Sequence, residues 1–219
     1  MTQSAPAYIP FAEISRLPIE YEWNSWDPYT LLGNAEEATL DALAEVSDRG
    51  VITFAIGCSE WVVFRLFPHF QDRRALQYLE ACWALVMGAS IALPPELKES
   101  EWQGKILSPI GLSIQTIINS WKMAEDGEAD AHAGFAERLP LLVLNDTASF
   151  IIWRNEVLKR LIRFHPYDDN EPIGKLVARE ILDPKINLDG VNQNDLVKRA
   201  LEAMSLKENP YIELLEDGR

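Results

Sequence analysis

The chain has 219 residues and a formal net charge of −14, because 34 aspartates and glutamates outnumber 20 lysines and arginines. A surface of this sign repels phosphates, so the composition argues against a nucleic-acid-binding protein and favours a partner protein with a basic surface. Hydrophobic residues make up 47% of the chain and charged residues 25%, as in ordinary globular proteins, and the length suffices for one sizeable core.

Residues 1–33 are predicted to form an extended N-terminal arm rich in aromatic residues. Prolines recur too often there for a long helix, and residues 19–23 alternate apolar and acidic side chains with the period of a strand. A disordered tail rarely carries so many aromatic side chains; they are Tyr8, Phe11, Tyr21, Trp23, Trp26 and Tyr29. Either these rings cover the protein's own core, or they contact a partner, with Trp23 and Trp26 as anchors.

The negative charge is concentrated near the N-terminus. Residues 1–50 hold nine acids and two bases, a net charge of −7 and thus half of the total. A helix is predicted over residues 35–48, with Asn34 as its N-cap and Gly50 as its stop. The acids form either a solvated face or a docking face for a basic partner, and those assigned to the docking face are Glu36, Glu37, Asp41 and Glu45.

The chain is predicted to be organised around residues 51–93, which read as two apolar helices separated by Pro68. From residue 54 to residue 67 only Glu60 and Arg65 are charged, and a helix without a polar face is usually buried on most sides. The proline disfavours a helical conformation in the residue before it, so the first helix should end there. A membrane span needs about 20 apolar residues, and the second apolar run is cut short by two prolines. We therefore expect core helices and no membrane span.

Cys58 and Cys82 both lie within these apolar helical patterns. We expect them to be buried, reduced thiols in a cytoplasmic protein. No basic and apolar leader opens the sequence, which also favours the cytoplasm.

The second half of the chain contains further helical patterns. Predicted helices begin at Ser108-Pro109, cover residues 131–144 with an interruption at Pro140, cover residues 148–164 after a cap at Asp146 or Thr147, and cover residues 172–182 and 194–204. The apolar patch at residues 211–215 either folds back onto the body or is an exposed docking peptide.

Residues 154–171 form an alternative functional region. Arg154 falls on the apolar side of its helix, where a charge is costly unless it is paired. It either reaches water from the first turn, or makes a buried ion pair or an anion-binding pocket. Residues 165–171 form a cluster that mixes histidine with several carboxylates, although the proline predicts a solvated loop. A small helical enzyme or ligand-binding protein would use Arg154 with His165, Asp168 and Asp169.

Common sequence motifs of catalysis are missing. The chain has no glycine-rich dinucleotide or phosphate loop, no His-Glu-x-x-His, no Cys-x-x-Cys and no Gly-x-Ser-x-Gly. The acidic run at residues 125–130 lacks the spacing of a calcium loop. These absences favour a non-catalytic protein, for which we predict no cofactor and no metal.

The sequence as a whole predicts an all-α fold, with one helical domain over residues 34–219 preceded by the arm. The run Ala178-Arg-Glu-Ile-Leu-Asp-Pro184, with Asn209-Pro-Tyr211, resembles the tails of all-α immunity proteins of bacterial polymorphic toxin systems. Such proteins are small, acidic and without a catalytic motif.

The resemblance covers a small part of the chain and carries over no site residue. It implies a protein that neutralises a toxin, and the acidic face would complement the basic surface with which a nuclease toxin grips phosphates. A third hypothesis is an oligomeric scaffold with a subunit interface on the surface of residues 51–93.

Overall fold

The computed structural model describes residues 4–70 and 72–215; the ends of the predicted arm and domain, residues 1–3 and 216–219, lie outside them. The all-α prediction is confirmed, since the described ranges contain no strand and only two isolated β-bridges. The helices are α1 (Phe11–Ile14), α2 (Pro28–Leu32), α3 (Glu37–Ala44), α4 (Asp48–Leu66), α5 (Arg74–Val86), α6 (Gly104–Met123), α7 (Ala129–Ala136), α8 (Arg138–Val143), α9 (Ala148–Phe164) and α10 (Gln193–Ala203).

Helix α4 lies at the centre of the core. It packs against α5, α6, α7, α8 and α9, and every one of its residues except Arg49 is buried. By length and composition the segment Asp48–His69 is able to cross a membrane, but 94% of its apolar window is buried inside the protein. The prediction of a core helix is confirmed. Helix α4 ends at Leu66, before Pro68, and α5 begins after a short 3-10 turn.

The N-terminal arm lies on this helical body. Tyr8 stacks on Trp153 with ring centroids 5.4 Å apart, and its hydroxyl donates a hydrogen bond to Glu60 of α4. Phe11 meets Phe64 edge to face at 6.1 Å. The rings at the start of the arm therefore cover the protein's own core. The arm is not extended throughout, because it contains the short helices α1 and α2.

The start of α6 differs from the prediction and shows how the arm is fastened. We expected Ser108-Pro109 to open the helix, but α6 begins at Gly104 and Pro109 lies inside it. A proline has no N–H to donate to the carbonyl four residues earlier, which here is that of Lys105. The hydroxyl of Tyr21, from the arm, donates to this carbonyl at 2.5 Å. The arm thus supplies the hydrogen bond that the helix lacks.

The predicted helix over residues 35–48 was too long. Helix α3 covers Glu37–Ala44 with Glu36 as its N-cap, and Gly50 lies inside α4 instead of stopping α3. The glycine serves close packing, because a Cβ at residue 50 would lie 2.5 Å from Cγ1 of Val46 in the link between the two helices. Sequence alone does not distinguish a glycine that ends a helix from one that allows a close approach.

The predicted helix over residues 172–182 was wrong except for a 3-10 turn at Arg179–Leu182. The first N–H groups of a helix have no partner within it. Here the carbonyls of Pro172 and Ile173 accept the N–H groups of Asp48 and Arg49, at 2.9 and 3.1 Å. The segment is therefore held in a non-helical form that satisfies the start of α4.

The remaining predicted elements agree well with the structure. Residues 131–144 are divided into α7 and α8 one turn before Pro140, and α9 has the predicted bounds, with Asp146 Oδ1 accepting the N–H of Ala148 at 2.9 Å. The C-terminal patch folds back, since Tyr211 stacks on Tyr78 at 3.6 Å.

Both cysteines are buried and unpaired, as predicted. Burial raises the pKa of Cys82 to about 12 and also raises the pKa of Cys58. Neither thiol is therefore primed as a nucleophile.

Candidate functional site

Three of the predicted docking acids form a stripe on α3. Glu37, Asp41 and Glu45 follow one another at intervals of four residues and therefore share a side of the helix. All three are exposed, whereas the opposite side of α3 buries Thr39 and Leu43. The stripe presents only carboxylates to the solvent.

The loop at residues 165–171 lies beside the end of this stripe. The N–H of Tyr167 donates to the carbonyl of Glu45 at 2.9 Å, and the N–H of Ser47 donates to the carbonyl of His165 at the same distance. Asp168 and Asp169 are exposed at the tip of the loop. Hydrogen bonds from the backbone and side chain of Asn170 lower the pKa of Asp168, which keeps it ionised.

We call the resulting surface the acidic face, composed of Glu37, Asp41, Glu45, Asp168 and Asp169. Sequence reasoning divided these residues between two competing sites, and the fold joins the loop to the Glu45 end of the stripe. Two basic residues, Arg49 and Lys175, lie close in sequence to the segments that form the acidic face. Arg49 donates from Nη1 to the carbonyl of Gly174, and Lys175 is exposed.

The fourth predicted docking acid, Glu36, has a different partner. Its carboxylate pairs with Nη1 of Arg154 at 2.8 Å, and the same nitrogen lies 2.9 Å from the carboxylate of Glu137. Glu137 is completely buried and also accepts hydrogen bonds from the N–H of Glu36 and the hydroxyl of Thr39. Of the alternatives for Arg154, the structure shows the buried ion pair.

The alternative site of Arg154, His165, Asp168 and Asp169 is not assembled. Arg154 and His165 are eleven residues apart along α9, about 16 Å at the rise of a helix. No hydrogen bond or ion pair joins Arg154 to the other three within residues 4–70 and 72–215. His165 is buried and bonds Gln193 through Nε2 at 3.0 Å, and burial lowers its pKa. It is a structural histidine beneath the acidic face.

A second surface feature is a groove of about 480 Å³ between the arm and the segment that precedes α6. Four aromatic side chains and three acids line it, namely Trp23, Trp26, Tyr29, Trp102, Asp27, Glu96 and Glu99. No lysine or arginine is among its described lining residues. Trp26 is 95% exposed and Tyr29 is 58% exposed, whereas Trp23 Nε1 is buried without a hydrogen-bond partner.

Aromatic faces and carboxylates together attract cations. The protein already uses this chemistry at the groove, where the guanidinium of Arg74 lies 5.1 Å from the ring centre of Trp102. We call this feature the aromatic groove. Its aromatic rings and carboxylates suit a positively charged group.

The acidic face and the aromatic groove belong to elements that pack on the same helix, α7. Tyr29 of the groove lies 5.3 Å from the ring of Phe135. Leu40 of α3 packs on the adjacent Gly134, so closely that a Cβ there would lie 2.4 Å from it. Helix α7 therefore links the two features within the fold.

Sequence reasoning missed Glu137 and the inner wall of the groove. Glu137 lies three residues before Pro140 and four after Ala133, both buried, so the helical period alone placed it on an apolar side. Trp102, Glu96 and Glu99 are far from the arm in sequence and carry no local signal.

A search for metal-binding clusters among the described residues and a comparison with known proteins both give negative results. The described parts of the chain contain no group of three or more histidine, cysteine or acidic side chains placed to hold a metal ion. Comparison with protein-family models, curated sequences and solved structures finds no match.

Proposed function

We propose that this protein is a non-catalytic, cytoplasmic binding protein whose acidic face docks a protein with a basic surface. In its specific form the proposal is an immunity protein that neutralises a bacterial toxin. The observation that carries it is the acidic face, because two acidic segments more than 120 residues apart in sequence are brought together. A concentrated negative surface speeds the association of a positively charged partner and rejects partners of the same charge.

The aromatic groove supports the same proposal. Tryptophan and tyrosine are common anchors of protein interfaces, because they bury a large area with few rotatable bonds. Trp26 contributes almost nothing to the core at 95% exposure. A basic side chain in the groove would meet both aromatic faces and carboxylates.

The other two hypotheses have less support. The enzyme hypothesis needed Arg154 and His165 in one site, and each has its own structural partners. The scaffold hypothesis needed surface on residues 51–93, where α4 is buried throughout and most of α5 is buried.

The first experiment is an affinity pull-down from the native host, followed by mass spectrometry of proteins recovered near one to one. The association of the recovered partner is then measured with the triple variant Glu37→Lys, Asp41→Lys, Glu45→Lys. We expect its association rate constant to fall about 10-fold or more at low salt, and its salt dependence to flatten. The matched control is Glu13→Lys, Glu202→Lys, Glu213→Lys, which changes the net charge equally at exposed positions elsewhere.

An equal loss in both triple variants would assign the effect to net charge and contradict a localised face. An unchanged rate in the first would place the interface elsewhere. Trp26→Ala tests the groove separately. We expect about 30-fold weaker binding if the side chain is an interface hot spot, with no change in the free energy of unfolding.

A further inference from the structure

A larger cavity lies away from both binding features. It has a volume of about 950 Å³ and lies between residues 4–8, the first part of α5, the turn at Arg179–Leu182 and residues 203–209. Small-molecule sites usually have volumes of about 300 to 1,000 Å³. The proposed function makes no use of this cavity.

The wall of the cavity includes a buried carboxylate from the middle of the core helix. Glu60 is only 5% exposed, and its two oxygens accept hydrogen bonds from Trp83 Nε1, at 2.8 Å, and from the hydroxyl of Tyr8. Burial raises the pKa of Glu60, while the positive charge of Arg179 opposes this rise. A carboxyl group is costly to bury, so its presence in the core helix marks this wall as a candidate binding site.

The guanidinium of Arg179 lies over the ring of Trp83, 5.0 Å from its centre. It makes no hydrogen bond or ion pair with any residue of the described chain, and its Nε is buried without a partner. The neighbouring Glu180 also has a buried oxygen, Oε2, without a donor. An arginine presents five N–H donors in a planar fork that fits a carboxylate. Arg179 and Glu180 both line the cavity, and each has a buried polar atom without a hydrogen-bond partner.

The overall charge of the cavity lining limits the class of ligand that is able to bind at Arg179 and Glu180. Five acids and two bases line the cavity: Glu60, Glu80, Glu180, Asp183 and Glu208, with Arg73 and Arg179. A simple anion would pair with Arg179 but would be repelled by the acids. A simple cation would suit the acids but leave the guanidinium unmet. A ligand with one carboxylate and an excess of positive groups satisfies both.

We propose that this cavity binds a small basic amphoteric ligand, a lysine-like or arginine-like amino acid that is either free or the last residue of a short peptide. Its carboxylate pairs with Arg179. Its ammonium or guanidinium groups face the acidic wall at Glu180, Glu80 and Glu208. The ring of Trp83 lies 5.0 Å from the guanidinium of Arg179, and the charge of the buried Glu60 attracts it. This inference is independent of the proposed protein partner.

The test is a titration of the full chain with L-arginine, L-lysine and Gly-Gly-Lys, followed by NMR at the indole N–H of Trp83. We expect saturable shifts from at least one probe. L-argininamide lacks the carboxylate and norleucine lacks the side-chain charge, so both should bind at least tenfold more weakly. Tighter binding of the tripeptide than of free lysine would identify a peptide source, and the reverse would identify the free amino acid.

Two variants locate the binding. Arg179→Lys keeps the charge but loses the fork, and Glu180→Gln loses the acceptor charge, so each should weaken binding at least tenfold. Arg163→Lys is the control, because Arg163 pairs with Asp189 on the surface and does not line the cavity. Absence of saturable binding by all three probes would overturn the proposal. So would equal binding of norleucine, or unchanged affinity in both cavity variants.

Discussion

The clearest single-residue feature is the carboxylate of Glu137, which is completely buried and yet fully hydrogen-bonded. Oε1 accepts the N–H of Glu36 at 3.0 Å, and Oε2 accepts the hydroxyl of Thr39 at 2.8 Å and Nη1 of Arg154 at 2.9 Å. These three donors come from the start of α3 and from α9. One side chain thus joins two helices to the break between α7 and α8.

At the residue scale we predict that Glu137→Gln lowers the free energy of unfolding by about 3 to 5 kcal/mol, because it leaves the charge of Arg154 buried without full compensation. The double variant Glu137→Gln, Arg154→Met should recover much of this loss, since it removes the buried positive charge while the amide oxygen still accepts the N–H of Glu36. Urea unfolding followed by circular dichroism measures both.

The control for this experiment is Glu156→Ala, which removes an exposed ion pair with Lys159. It should change the free energy of unfolding by less than about 1 kcal/mol. A loss in Glu137→Gln as small as that of the control would show that the buried pair contributes little to stability.

At the scale of elements, the contact of α4 with α9 depends on a glycine. A Cβ at Gly57 would lie 2.7 Å from Cη2 and 2.8 Å from Cζ2 of Trp153. The indole has little freedom to move, because its Nε1 donates to the carbonyl of Leu182 at 2.8 Å and its face stacks on Tyr8. The glycine therefore sets how closely the two helices approach.

We predict that Gly57→Ala lowers the free energy of unfolding by about 1 to 3 kcal/mol, the range for overpacking a core. Phenylalanine lacks the second ring that holds Cη2 and Cζ2. In a Trp153→Phe background the same alanine should therefore be less destabilising, and a double-mutant cycle in urea should give a favourable coupling energy. If Gly57→Ala is equally harmful in both backgrounds, the indole is not the obstacle.

At the scale of the whole molecule, the net charge of −14 is unevenly distributed. Glu37, Asp41 and Glu45 are like-charged neighbours at intervals of four residues, an arrangement that destabilises a helix. The acidic face should therefore lower the stability of the free protein.

We predict that Asp41→Asn raises the free energy of unfolding by about 0.4 to 1 kcal/mol at low ionic strength, because each of its two like-charged pairs costs about 0.2 to 0.5 kcal/mol. The gain should disappear in 1 M NaCl, where the Debye length is about 3 Å. Urea titrations at both salt concentrations measure it.

The opposite control is Glu202→Gln on α10, because its neighbour four residues earlier is Lys198. Removing that favourable pair should not stabilise the protein. Equal stabilisation by both substitutions, or a gain that persists in 1 M NaCl, would point to helix propensity and not to repulsion.

The sequence by itself determined the helical class, the buried α4 and the bounds of α9. Each of these depends on signals that are contiguous in the sequence: an apolar run without a polar face, a proline that ends it, and an aspartate that accepts the first N–H of the next helix. The carboxylates of α3 and of the loop at residues 165–171 were also recognised as candidate site residues, but separately.

Only the tertiary structure decided which groups meet. Arg154 pairs with the buried Glu137, 17 residues earlier in the chain. Residues 172–182 are largely non-helical despite their helical pattern, and the carbonyls of Pro172 and Ile173 accept the first N–H groups of α4. The acidic face, the aromatic groove and the cavity at Arg179 are all assembled from segments far apart in the chain. The hydrophobic period and helix capping are properties of neighbouring residues in the sequence. The partners of a buried charge, or of a backbone group that lacks a partner within its own helix, are determined only when distant segments pack together.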